Sequence, residues 1–427
     1  MSLSVRKKCD RNIAKRRVPR VAFHATLLLL AVGFVFSGLK VHAAETAVNL
    51  EQKTQEFMKK YPEADANKDG ALTPVEIWYS RSKMQNAGNY AAMKDMDALM
   101  EAGYTPTPID ENKTYGPAPG KKIKLFILSG QSNMVGQGLS AELSEGMLHP
   151  NNQLLMFENG KWQPLRPLRP TFGPEITFGH AMANAWPDET IGIVKQAQGG
   201  TAILAWHPNW TREKADRAGD EAIKKILANA DANGDGKISR DEASGRISYL
   251  FDRLDSNGDR FLTVQELQRV LRNKGVLWKE LTDKVRDARN KANCEIMGFI
   301  WQQGGADMQK LETGKQYLSN LRALIEGLRK ETGVPDLPLV LGSYRPEGIP
   351  DDLSNFNPEQ YTGGKGSGRG GPYVLKAQFD AQKELAPAKM VPLRDLEKHP
   401  ENVHYNTNGQ LELGRLFAQA YLELAGR

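Results

Sequence analysis

The stretch KLFILSGQSNMVGQG, Lys124 to Gly138, constrains the fold of this chain more than any other. Leu125 to Leu128 is an apolar run rich in strand-forming residues, and it breaks at Ser129-Gly130, so the residues that follow sit on a turn at the carboxyl end of a buried strand. Open α/β sheets bind ligands at that edge, and a serine on a tight turn between strand and helix is a standard way to expose a nucleophile. Ser132 is therefore a candidate nucleophile. The competing reading is that it only caps the helix that follows.

Residues 1–43 read as a secretory signal. Nine Lys and Arg precede or flank the apolar segment Ala25 to Gly38, and small residues around Val41-His42-Ala43-Ala44 form an A-x-A-like cleavage site. A membrane anchor is the alternative, but the apolar core is shorter than the roughly 20 residues a spanning helix needs. The expectation is a secreted or periplasmic protein with no membrane association after cleavage. The leader holds nine basic residues and the single acid Asp10, so its removal takes the net charge from +6 to −2. The basic balance of the full chain then gives no reason to expect a nucleic-acid partner. Cys9 leaves with the leader and Cys294 remains alone, which excludes an intramolecular disulfide.

Stability outside the cell is expected to come partly from calcium. DANKDGALTPVE, residues 65–76, has Asp65, Asn67, Asp69, Gly70, Thr73 and Glu76 at positions 1, 3, 5, 6, 9 and 12 of an EF-hand loop. DANGDGKISRDE, residues 231–242, repeats the pattern with Asp231, Asn233, Asp235, Gly236, Ser239 and Glu242. DSNGDRFLTVQE, residues 255–266, repeats it again with Asp255, Asn257, Asp259, Thr263 and Glu266. The position-7 residues Ala71, Lys237 and Phe261 would add backbone carbonyls. One acidic turn can mimic such a loop by chance; three in one chain argue against chance. The third loop departs from the pattern, because Arg260 stands where glycine is wanted, and positive φ costs a side chain about 1–2 kcal/mol. That site should bind more weakly. Loops two and three are joined by one short helix, Ala243 to Leu254, while the first has no partner visible in the sequence. The pattern is similar to short EF-hand pairs of secreted bacterial proteins and, more loosely, to dockerin repeats. The helix-forming segment Glu221 to Ala230 favours EF-hands, and a structural calcium role is expected, with no organic cofactor.

In chain order, residues 45–104 read as a small helical module around the first loop, and 105–120, with Pro106, Pro108, Pro117 and Pro119, as an extended linker. After the Ser132 turn comes a helix from Gly173-Pro174-Glu175 to about Ala185, then a strand Ile191 to Ala197 ending in Gln198-Gly199-Gly200-Thr201. The calcium pair occupies 209–290. A strand Ile296 to Gln302, a helix near 314–332, a strand Leu337 to Leu341, a glycine-rich loop 363–371, a helix to about Glu384 and a last helix Gly409 to Ala425 follow. Strands alternating with helices predict an α/β fold with a parallel sheet covered on both faces. Its domain spans 121–208 and 291–427, with 209–290 inserted.

Three polar or glycine-rich strand ends could meet Ser132. Gly199-Gly200 would expose backbone N–H groups, and Gln303-Gly304-Gly305-Ala306-Asp307 brings an amide donor to the same edge. Pro400-Glu401-Asn402-Val403-His404-Tyr405 places a carboxylate three residues before a histidine. Serine hydrolysis needs these parts: a base, a carboxylate that orients it, and donors for the oxyanion.

GQSNM at 130–134, the GG-T turn at 199–201, W-x-QG at 301–304 and P-E-N-V-H-Y at 400–405 resemble the sialic-acid-specific acetylesterases, carbohydrate esterases of the SGNH (GDSL-like) hydrolases. The resemblance implies a three-layer α/β/α sandwich that removes O-acetyl groups from an acetylated oligo- or polysaccharide. It implies Ser132 as nucleophile, His404 as base, Glu401 as its carboxylate partner, and Gln303 with the Gly200 and Ser132 N–H groups as the oxyanion hole. Two departures stand out. The family's carboxylate is usually Asp, which keeps Asp395 as a substitute for Glu401, and its E-S-D after W-x-Q-G reads Gly305-Ala306-Asp307 here. Asp307 is expected to hold its loop.

The remaining candidates carry blander readings. His180 and His207 are expected to be structural or rim residues, and His399 is a rival base. Trp206 could stack on a sugar ring or pack against the insertion; Lys365 and Arg369 could meet an acidic glycan or sit in a solvated loop. The chain reads as a calcium-loaded serine esterase. A carbohydrate-binding or calcium-dependent docking protein on an esterase scaffold is the alternative.

Overall fold

The computed structural model describes residues 51–87, 89–148, 151–271, 276–346, 349–361 and 368–427. The leader read at 1–43, the start of the amino-terminal module, and Lys365 lie outside the described residues. Helices α1 (Pro74–Asn86) and α2 (Tyr90–Ala102) come first, followed by strand β1 (Ile123–Gly130), the hairpin β2 (Leu154–Glu158) and β3 (Lys161–Pro164), α3 (Glu175–Ala185) and β4 (Thr190–Ala197). Next are α4 (Arg212–Ala230), α5 (Gly245–Leu254), α6 (Val264–Leu271) and α7 (Leu277–Lys291). The chain continues with β5 (Cys294–Gln302), α8 (Tyr317–Thr332), β6 (Leu339–Tyr344), α9 (Gly371–Glu384), β7 (Ala388–Leu393) and α10 (Thr407–Leu424).

The seven strands form one sheet in the order β7-β6-β5-β1-β4-β2-β3, parallel except for β3, which runs antiparallel to β2. Side chains on a strand alternate between faces, and β1 uses both. Ile123, Leu125 and Ile127 face the core built with Leu281 of α7, Leu324 of α8 and Leu375 of α9. Phe126 and Leu128 face the core built with Phe178 of α3 and Phe417 of α10. This is why the strand reads as a continuous apolar run, and why the fold has three layers. Phe126 is fully buried and meets Phe178 and Tyr421 edge-on, with ring centroids 5.2 and 4.9 Å away. Burying a side chain of that size stabilises the fold by roughly 1.5–3 kcal/mol.

Register brings three turns together. Gly130 at the end of β1 lies opposite Ala197 of β4 and Gln302 of β5, so the turns that follow all three strands leave the sheet at one edge. A side chain at residue 130 would bring Cβ within 2.1 Å of the Gln302 carbonyl oxygen, and only glycine fits.

The insertion builds its own small core from Ile223, Ile238, Phe251, Leu262 and Leu267. The amino-terminal helices have a core of their own, Phe57, Ile77, Trp78 and Met96, and it includes Leu139, just beyond the Ser132 turn. From residue 51 onward the described residues form one compact unit. The Pro-rich segment 105–120 is irregular but pinned, with Arg166 Nε donating to Thr107 O at 2.8 Å. Trp206 does not present a face for a sugar; it is fully buried and edge-on to Trp301 at 5.4 Å. The hairpin β2–β3 and strand β7 had no counterpart in the sequence reading. Among the described residues no helix is long and apolar enough to cross a membrane. Cys294 is free and half-buried, and burial pushes its thiol up to about 11.

Candidate active site

Ser132 opens a single helical turn, Ser132–Val135, directly after β1. As the first residue of that turn its N–H has no intrahelical acceptor and remains available to a ligand. The other end of the turn is held from below: Lys195 of β4 donates to Val135 O at 2.9 Å and pairs with Glu175 Oε2 at 2.6 Å, off hydrogen-bond alignment. Burial lowers the Lys195 pKa, and Glu175 works against that shift. Lys195 was missed in the sequence; its signal is a lysine closing an otherwise apolar strand.

Asn133 was missed as well, and it joins the two halves of the site. Its Oδ1 accepts from Tyr405 N at 3.1 Å and its Nδ2 donates to Val403 O at 3.4 Å, the two residues that flank His404. The histidine segment is itself a tight loop, in which His399 N donates to His404 O at 2.9 Å and Asn402 N donates to His399 O at 2.8 Å. Within it His404 Nδ1 meets Glu401 Oε1 at 3.0 Å, with the glutamate side chain 3% exposed and the histidine 17%. That contact leaves Nε2 for proton exchange. No hydrogen bond joins Ser132 Oγ to His404 among the described residues. Burial alone would raise the Glu401 carboxyl, but hydrogen bonds to His404 and to its own backbone N–H outweigh it and hold the group below the ordinary carboxylate range.

Glu401 and not Asp395 contacts the histidine. Asp395 instead lies on the wall of a cavity of about 440 Å³ with Arg345, Lys398 and His399, beside the histidine loop. His399 is buried and its Nε2, 2.7 Å from Gln137 O, is engaged with the backbone. His207 Nδ1 accepts from Asn209 N at 3.0 Å, and burial lowers the pKa of both His180 and His207.

On the other flank, the Gly199 backbone lies against Ser132: a Cβ at 199 would sit 3.5 Å from Ser132 Cβ. The Gly200 N–H has no acceptor among the described residues, and the space beside its Cα is open. Gln303 behaves differently from the expected oxyanion donor. Its two amide hydrogens go to Thr201 O at 2.9 Å and Asp307 Oδ2 at 2.7 Å, so in this conformation the side chain ties the turns after β4 and β5 together. Asp307, 1% exposed, also accepts from Ile203 N at 2.9 Å, and burial raises its carboxyl to about 6. It holds the loop from inside and touches no open space.

The three acidic loops share one backbone pattern. The position-1 aspartates Asp65, Asp231 and Asp255 accept from the position-6 N–H at 2.9, 2.8 and 2.9 Å, and Glu76, Glu242 and Glu266 accept from the position-9 N–H at 3.0, 2.8 and 3.0 Å. Loops two and three pair through Ile238 and Leu262, position 8 of each. These oxygen donors are of the type a hard cation takes, with the closing glutamates turned to the backbone; no three acidic side chains converge on one point among the described residues.

The carbohydrate esterase, sialic acid-specific acetylesterase family matches residues 122–238 and 264–423. A probable carbohydrate esterase of Arabidopsis thaliana is 23% identical over 348 residues, which is 76% of this chain and 98% of that protein. A solved structure from Arabidopsis thaliana is similar over 71% of this chain and 98% of its own, at 20% identity and a TM-score of 0.46. A carbohydrate acetylesterase from Xanthomonas citri is similar over 71% of this chain and 57% of its own, at 18% identity and a TM-score of 0.40. With Ser132, Gln303 and the Glu401–His404 pair all inside the matched residues, the chain belongs to the carbohydrate esterase family of sialic acid-specific acetylesterases.

Proposed function

We propose that this protein is an exported serine esterase that removes O-acetyl groups from carbohydrate, with calcium in a structural role. Family membership supports the reaction class. The observation that carries the reading to these residues is the Asn133 clamp, which holds the turn bearing Ser132 to both neighbours of a carboxylate-oriented histidine.

Ser132 Oγ attacks the acetyl carbonyl carbon while His404 Nε2 takes the hydroxyl proton, and the oxyanion forms against the Ser132 and Gly200 N–H groups. The carbonyl re-forms, the bond to the sugar oxygen breaks, and that oxygen leaves with the proton from His404. Water then repeats the sequence on the acetyl-serine and releases acetate. Glu401 stays ionised, holds the imidazole tautomer and balances the imidazolium. Calcium, where bound, would be held by Asp65, Asp231, Asp255 and their loop partners and would stiffen the helices that flank each loop.

The test is turnover of a chromogenic acetate ester by wild type and Ser132→Ala. A fall on the order of 10³-fold or more supports the reading. Equal, background-level turnover in both would favour a carbohydrate-binding protein on an esterase scaffold, the reading that the engaged Gln303 amide and Gly305 suggest.

A further inference from the structure

Helix α1 belongs to the part of the chain before residue 122, outside the family match, yet it reaches the catalytic loop. Trp78 and Ser82 are one turn apart on it and share a face. The Trp78 ring lies 5.2 Å from the His399 ring, and both residues are buried. His399 in turn bonds the backbone of His404, so the helix packs on the loop that shapes the catalytic pair.

Ser82 is 1% exposed and its Oγ has no hydrogen-bond partner. Glu401 Oε2, the carboxylate oxygen turned away from His404, is also buried without one. Buried polar atoms are nearly always paired, and an unpaired carboxylate oxygen is the costlier of the two. The serine stands close enough to Glu401 to help lower its pKa, after the stronger interactions with His404 and the backbone, while falling outside hydrogen-bond geometry. Helix α1 thus carries a buried donor without an acceptor, and the loop it packs on carries a buried acceptor without a donor.

Building on the esterase reading, we infer that Ser82 donates its hydroxyl to Glu401 Oε2 during turnover, which makes helix α1 a positioning element of the active site. The bond is charge-assisted and fixes the second carboxylate oxygen, so that Oε1 stays aimed at His404 Nδ1 as the imidazole gains and loses its proton. Ser82 touches no reacting atom and acts only through Glu401.

The experiment compares wild type, Ser82→Ala, Ser82→Thr and Ser132→Ala on a small chromogenic acetate ester, with kcat, KM and the pH profile of kcat/KM, and a thermal melt to establish folding. Ser82→Ala should lower kcat about tenfold, the scale of one charge-assisted hydrogen bond, with KM unchanged and the acid limb of the profile displaced. Ser82→Thr should restore both. A folded Ser82→Ala with wild-type kcat and pH profile overturns the inference, as does a loss that the threonine variant does not rescue. If wild type itself turns over no faster than Ser132→Ala, the esterase reading fails instead, and the two failures are distinguishable.

Discussion

The chemistry proposed at Ser132 would depend on side chains that each perform one task. Glu401 and His404 are three apart, and a single loop turn brings them together; that contact was legible in the sequence because it is local. Glu401 and Asp395 were both open in the sequence; of the two, Glu401 contacts the imidazole, at 3.0 Å. Glu401→Gln should therefore lower kcat by on the order of 10² or more, through loss of the correct tautomer, whereas Asp395→Asn should cost far less. Steady-state kinetics on the same ester measure both, and a reversed order would remove Glu401 from its role. Asn133 was invisible to this reasoning. An asparagine beside a serine has no local signature, and its partners Val403 and Tyr405 lie about 270 positions away.

Among the elements, the loops give the sharpest comparison. Position 6 takes positive φ in all three, +80° at Gly70, +79° at Gly236 and +68° at Arg260, so the strain expected at Arg260 from its sequence position has a backbone counterpart. Position 4 does the same, with Lys68 at φ 58° where the other loops have Gly234 and Gly258, a requirement the sequence reading overlooked. Relieving Arg260 by Arg260→Gly should stabilise the folded state by about 1 kcal/mol, less some unfolded-state entropy. Calorimetric melts with calcium and with chelator should show a higher Tm for the variant in calcium, and for both proteins a lower Tm in chelator, since a ligand bound only to the folded state stabilises it. An unchanged melt in chelator would remove calcium from the account. Two of the three missed strands share a cause: β3 and β7 are the two edge strands and contain Pro164 and Pro392, which suit edges because an edge strand tolerates a missing N–H, and which spoil the strand pattern in sequence.

At the scale of the whole molecule, the turns after β4 and β5 are locked by one buried carboxylate, Asp307, whose carboxyl is raised to about 6 by burial. The folded state keeps that proton up to about pH 6 while the unfolded chain releases it near pH 4, so this group's contribution to stability is lost as pH rises from about 4 to 6. The cost is on the order of 3 kcal/mol at neutral pH. Asp307→Asn keeps an acceptor for the Ile203 N–H and removes the titration, so its Tm relative to wild type should rise between pH 5 and pH 7. A constant difference across that range would show that Asp307 titrates normally.

What the sequence by itself determined follows from local rules: a buried parallel strand from its unbroken apolar run, a turn at Ser129-Gly130, three acidic loops from oxygen donors at fixed spacing, and a carboxylate one loop turn from a histidine. Tertiary structure alone decided which donors remain free at the edge beside Ser132, and that the first helices pack against the loop bearing His404. Those outcomes rest on pairings between residues hundreds of positions apart, where burial fixes which polar atoms find partners, and no pattern of neighbours along the chain encodes that choice.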